Sequence, residues 1–158
     1  MKFQKAFTLM ELLIVIAIIT ILAGVGISTF INQQRAKLLD TSVHEIVGYL
    51  RYAQQKSMAQ ESGNQWGIYF ENPADEDEKD FYALYAGSEY TFDEEKERRY
   101  LSSGITFTTP DTDEDVEVSF NKLTGTNATS TLQFITIKST VTNSTSTISI
   151  SGQGLISY

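Results

Sequence analysis

The 158-residue sequence contains no cysteine and a single histidine, His44. Without thiols there is no disulfide framework and no cysteine nucleophile. One imidazole and no thiolate fall short of the usual ligand set of a zinc site. No G-x-S-x-G elbow is present to put a nucleophilic serine beside His44, so a hydrolase triad is not indicated. Positive charge is also scarce: 12 Lys and Arg face 20 Asp and Glu, a formal charge of −8. Lys2 and Lys5 stand ahead of an apolar run, which leaves 10 basic and 20 acidic residues for the remainder. An acidic body repels phosphate backbones and argues against nucleic acid as a ligand. From Leu12 to Ile27 charge is missing altogether.

That gap belongs to the segment FTLMELLIVIAIITILAGVGISTFI, residues 7–31. From Leu9 to Ile31 it is long enough to cross a bilayer core of about 30 Å as a helix. Its Ile, Val and Leu occupy every side, as a lipid environment requires. A secretory signal peptide would be cut behind such a run, after small residues. Here a short basic leader, MKFQKA, comes first instead. Lys2 and Lys5 are expected to hold the N-terminus in the cytoplasm, with the residues beyond about 31 outside. Glu11 interrupts the run. A carboxylate in hydrocarbon costs about 2.5 kcal/mol or more near the bilayer centre, which marks it as functional, unless it snorkels to the interface.

The string KAFTLMELLIVIAIITILAG resembles the class III signal and N-terminal helix of type IV pilins and type II secretion pseudopilins. The resemblance implies cleavage by a prepilin peptidase between Ala6 and Phe7, and methylation of the new amine of Phe7. It makes Glu11 the fifth mature residue, the carboxylate that neutralises a neighbouring subunit's amine and sets axial register. Ala6 stands where the family usually has Gly. The helix also lacks the proline that family members often carry about twenty residues in. Gly24 and Gly26 occupy that region, each costing about 1 kcal/mol of helix propensity relative to Ala. They supply either local melting in a filament or close helix packing.

Beyond the apolar run, residues 33–60 read as an amphipathic helix. Leu39, Val43, Ile46, Leu50, Ala53 and Ser57 recur at spacings of four and three, widened by Ala36 and Val47. Arg35, Lys37, Arg51, Gln55 and Lys56 fall on other faces. Gly63-Asn64 is the expected stop. The rest alternates as short strands near Trp66–Phe70, Phe81–Tyr85, Ile105–Phe107, Val116–Phe120, Leu132–Ile137, Ile148–Ile150 and Leu155–Tyr158. The fold class expected is α+β: a long N-terminal helix on an antiparallel head of two small sheets. The organisation is a leader at 1–6, a transmembrane or filament-core helix at 7–31 and an extracytoplasmic head at 32–158.

Two acidic stretches, Asn72–Asp80 and Asp93–Arg99, read as solvated loops. Asp111, Asp113 and Asp115 alternate like the start of an EF-hand loop, but Val116 and Lys122 break the pattern. Asn127-Ala128-Thr129 and Asn143-Ser144-Thr145 match the glycosylation sequon. The run from VSFNKLTG through LQFITI to TISISGQGLI resembles the C-terminal half of the GspH/FimT group of minor pilins and pseudopilins. FimT-like members that take up DNA do so through basic C-terminal residues, and SGQGLISY has none.

The expected function is that of a minor pilin or pseudopilin in the bacterial inner membrane, priming filament assembly without catalysis or cofactor. Its implied partners are other pilins, the prepilin peptidase, the inner-membrane assembly platform and the membrane itself. A major pilin forming the shaft, or a membrane-anchored adhesin or ligand-binding head, are the alternatives.

Overall fold

The computed structural model describes residues 8–75 and 77–158, and for 23–36 the helix without its side chains. Two compact units divide the chain, Met1–Arg35 and Ala36–Tyr158. A single helix, α1, runs Leu9–Met58. Eight strands follow: β1 Trp66–Asn72, β2 Phe81–Ala86, β3 Glu95–Tyr100, β4 Ile105–Thr109, β5 Glu114–Phe120, β6 Gln133–Ser139, β7 Thr145–Ile150 and β8 Ile156–Ser157. They form two four-stranded antiparallel sheets, β3-β2-β1-β5 and β4-β6-β7-β8.

In the second unit the helix stripe is the centre of the core. Leu39, Val43, Ile46, Val47, Leu50 and Ala53 are all buried, joined by alternate residues of both sheets. Ile68 faces Leu84 on one side and Val118 on the other. Phe70 and Phe107 meet edge to face at 5.8 Å and couple the two sheets. Ser57, at the polar end of the stripe, is fully buried and completes β1: its Oγ accepts from the Trp66 amide at 2.7 Å and donates to the Trp66 carbonyl at 3.2 Å. Ala36 of the widened stripe lies outside the described side chains.

The helix ends at Met58, two residues before the expected Gln60. Gln60 already adopts the left-handed conformation, φ 52°, and a 3₁₀ turn over Glu61–Gly63 follows. Lys56 is not a solvated face residue either. Its ammonium sits 4.3 Å from the centre of the Trp66 ring and pairs with Glu61, so the apolar stem and charge both find partners.

Asp93–Arg99 is the clearest correction. Five of its seven residues, 95–99, together with Tyr100 form β3, the edge strand of the first sheet, paired with β2. No hydrophobic alternation announced it, because an edge strand can carry charge on both faces. Its side chains satisfy one another. Arg98 donates to Glu95 at 2.7 Å and lies 3.9 Å over the Phe81 ring; Arg99 donates to Glu97 at 2.7 Å. β2 departs from its expected alternation as well, being buried on both faces. The residues 87–94 fold over its outer face, where Tyr90 stacks on Tyr69 at 3.9 Å. The other acidic stretch, Asn72–Asp80, starts on the buried last residue of β1 and is a loop over its remaining described residues, but Asp80 is not merely solvated. Its carboxylate accepts from Thr106 Oγ1 and the Phe107 amide, tying the loop to β4.

The Arg98 hydrogen bonds, against the opposing effect of burial, hold Glu95 below the usual carboxylate range. The Tyr49 phenol and Arg99 do the same for Glu97. A lowered folded-state value stabilises the fold above the unfolded value, about 4.3, and that contribution disappears as pH falls through the folded values. Thermal stability is therefore expected to hold from neutrality to about pH 5 and to decline below about 4.3. Glu95→Gln should flatten part of that decline; a melting profile against pH that is unchanged by the substitution would remove Glu95 from the explanation.

Candidate assembly segment and head

α1 begins on a cap. Thr8 Oγ1 accepts from the Glu11 amide at 3.2 Å, and the Thr8 carbonyl accepts from the amides of Glu11 and Leu12. The spacing Thr8-x-x-Glu11 is that of a capping box, with an acidic residue in the first turn where the helix dipole favours it. Glu11 is exposed and is the one charged residue of Leu9–Leu22.

Every described large side chain around it is apolar and uncovered. Leu9 is 81% exposed, Ile21 69% and Leu22 66%, and even the least exposed of the set, Val15, stands at 42%. Consecutive helix residues are about 100° apart, so eleven such side chains between Leu9 and Leu22 leave no polar face. The sole hydroxyl in that span, Thr20, donates to the Ile16 carbonyl at 2.7 Å and needs nothing from outside. A surface of this kind requires apolar surroundings. Among the described residues no helix is long and apolar enough to cross a membrane. The expected span at 7–31 passes beyond the fully described stretch at both ends. Ala6 and Phe7 lie outside the described residues; Gly24 and Gly26 are within α1, in the stretch described only as helix.

At the far end of α1, Gln54 performs a task that the heptad-like stripe did not reveal. Its Nε2 donates to the carbonyls of Gly125 and Gly154, both at 2.8 Å, and so ties the β5–β6 and β7–β8 connections to one helix side chain. Gly154 has φ +83°, and a Cβ there would lie 2.2 Å from the Gly125 carbonyl oxygen. Gly125 of NKLTG and Gly154 of SGQG thus serve one junction.

His44 meets Tyr158: Nδ1 donates to the Asp40 carbonyl at 2.8 Å, and Nε2 shares a hydrogen bond with the Tyr158 hydroxyl at 3.0 Å. Asn127 is fully buried; its amide donates to the Thr131 carbonyl and Gln133 Oε1, while Oδ1 accepts from Thr129. The first sequon is therefore sealed in the folded head, whereas Asn143 lies exposed between β6 and β7.

Residues 1–27 match the prokaryotic N-terminal methylation motif. The fold is similar to that of the type IV minor pilin FimU of Pseudomonas aeruginosa, with a TM-score of 0.54 over 75% of this chain and 86% of that one, at 16% identity. No curated protein matches the chain. The chain thus carries the methylation motif over its first 27 residues and a fold similar to that of a type IV minor pilin.

Proposed function

We propose that the protein is a minor pilin or pseudopilin: a subunit matured at the Ala6–Phe7 bond, held in the membrane by the first part of α1 and incorporated through that segment into a filament or its tip. One observation carries this reading. The described start of α1 is apolar on every side and broken by one carboxylate, a surface that lipid can cover before assembly and neighbouring helices after it. The motif match supports processing and methylation at the N-terminus, and membrane anchoring follows from it. The finer assignments extend from there: the peptidase and assembly platform as partners, the inner membrane as location, and the head on the extracytoplasmic side because Lys2 and Lys5 precede the apolar run.

The head, with its own core, contributes shape and surface rather than chemistry in this reading. Incorporation as a minority subunit is favoured over the shaft role by the similarity of the fold to a minor pilin.

Processing is tested by intact-mass measurement of the protein from a host with an active prepilin peptidase. The expected product begins at N-methylated Phe7, and it should revert to the uncut chain in a peptidase-deficient strain. A cut after Gly26 would contradict the reading. So would an unprocessed Met1 in the active strain. Quantification against purified filaments separates the two structural roles: a trace subunit is expected, and a stoichiometric one would make it the shaft pilin.

A further inference from the structure

An open cleft of about 450 Å³ lies on the head between α1 and β3, within the range of small-molecule sites. Its floor is Gly48, and Tyr49, Tyr52, Glu45 and the Glu97–Arg99 pair surround it. Three observations distinguish it from an ordinary surface hollow.

The first is an orphaned hydroxyl. Tyr82 is only 2% exposed, and its phenol has no hydrogen-bond partner among the described residues. The ring packs edge to face on Tyr49 at 5.5 Å, and the charged groups that act on the phenol, Glu45 and Arg99, line the cleft, with Tyr82 itself enclosed behind that lining. A buried hydroxyl left unpaired costs about 1–3 kcal/mol, so a shift of the lining side chains on binding that gives it a partner recovers that energy. Burial, with Glu45 next, raises the Tyr82 phenol well above its ordinary value, which keeps it a neutral O–H able to donate and to accept.

The second is Gly48. It sits in the interior of α1, where glycine costs about 1 kcal/mol relative to alanine. A Cβ at this position would meet nothing within 4 Å. Neither backbone angle nor packing in the free head calls for glycine here. The bare helix surface leaves room for a ring to lie flat on the cleft floor.

The third is a frame set before any ligand arrives. The Tyr49 hydroxyl donates to Glu97 at 2.8 Å, and Arg99 donates to the same carboxylate at 2.7 and 2.9 Å. His44, at the rim, is held by Tyr158 with ring centres 5.0 Å apart. Preorganised walls reduce the ordering cost of binding.

We propose that this cleft binds a neutral sugar, one or two rings in length. Tyrosine rings offer flat amphipathic platforms for the C–H face of a pyranose. Glu45 and Glu97 accept from its hydroxyls and Arg99 donates. Two carboxylates oppose an acidic sugar, while Arg99 opposes a free cation, which leaves a neutral polyhydroxylated ligand as the best match. The proposal concerns the head alone and stands whether or not the chain assembles as argued above.

The test uses the full chain in lipid nanodiscs, free of glycoside detergents. Glucose, galactose, N-acetylglucosamine, cellobiose, lactose and diacetylchitobiose are titrated to about 10 mM by calorimetry and saturation-transfer NMR. At least one should bind with a Kd near or below about 1 mM. Gly48→Leu, which fills the floor, should abolish binding without lowering the melting temperature. Tyr52→Ala should weaken it about tenfold or more. Tyr82→Phe should weaken it several-fold while leaving the melting temperature unchanged or higher, since the lost hydroxyl was unpartnered. Binding by none of the six sugars overturns the proposal. So does binding that Gly48→Leu leaves intact, or a preference for sialyllactose over lactose.

Discussion

Gly154→Ala is expected to destabilise the head by about 3 kcal/mol or more, against a typical point-mutation cost of about 1. Left-handed backbone at φ +83° charges alanine about 1 kcal/mol before any contact is considered. The new methyl would then stand 2.2 Å from the Gly125 carbonyl oxygen and 2.7 Å from Gln54 Nε2. The first of these is backbone, fixed in turn by a left-handed glycine packed on Met58, and cannot yield cheaply. Separating the two connections breaks one or both hydrogen bonds from Gln54, each worth about 1 kcal/mol net. Denaturant unfolding followed by the single tryptophan, Trp66, which is buried, reads the effect directly. A loss below about 1 kcal/mol would show that the two turns move independently and that the Gln54 junction does not hold them. Gly48→Ala is the matched contrast: the same chemical change, in open helix, is expected to raise stability by up to about 1 kcal/mol.

Glu11→Leu should reduce incorporation into filaments by about a hundredfold while leaving the protein in the membrane. In the proposed assembly the carboxylate meets the methylated amine of a neighbouring Phe7. At about 4 Å and an effective dielectric near 20 the attraction is about 4 kcal/mol, partly offset by desolvation. Leucine removes one partner and leaves an amine buried alone, a penalty of about 3 kcal/mol or more, and each 1.4 kcal/mol is a factor of ten. The start of α1 survives the change, because Thr8 caps the residue-11 amide rather than its side chain. Membrane fractionation is expected to match wild type, and crosslinking to partner pilins to be lost. Wild-type crosslinking by the variant would reduce Glu11 to an interfacial charge.

The sequence disclosed most where packing decides structure. The spacing of Leu39, Val43, Ile46, Leu50, Ala53 and Ser57 marked the core face of α1 because only one helix face can be dry, and all six are buried. Strands with an alternating apolar face, such as Ile105–Phe107 and Val116–Phe120, were visible for the same reason. β3 was not, since its registration comes from hydrogen bonding to β2 and from Arg98 lying over Phe81, and neither leaves a periodic trace. The double burial of β2 depends on Tyr90 folding back onto Tyr69, a contact across 21 positions that no local pattern encodes. In the candidate segment the motif and Glu11 were plain from the chain. The cleft was not: nothing in the stripe singles out Gly48, and the orphaned Tyr82 hydroxyl exists only once the fold encloses it.

The charged edges of the first sheet bear on what happens when many heads are gathered in one fibre. Chains tethered side by side experience millimolar effective concentrations, at which open strands pair readily and irreversibly. β3 presents Glu95, Lys96, Glu97, Arg98 and Arg99 along one margin, and β5 presents Glu114, Asp115 and Glu117 along the other. Two β5 margins brought together set carboxylate against carboxylate, and the row of charged side chains along β3 keeps an incoming strand off, so ladder-by-ladder zippering between heads is discouraged. In the proposed assembly cohesion is then left to the apolar helices, which lipid can reclaim. A fibre glued by its sheets would be permanent; one held only by helices that a bilayer can take back can be dismantled and its subunits used again.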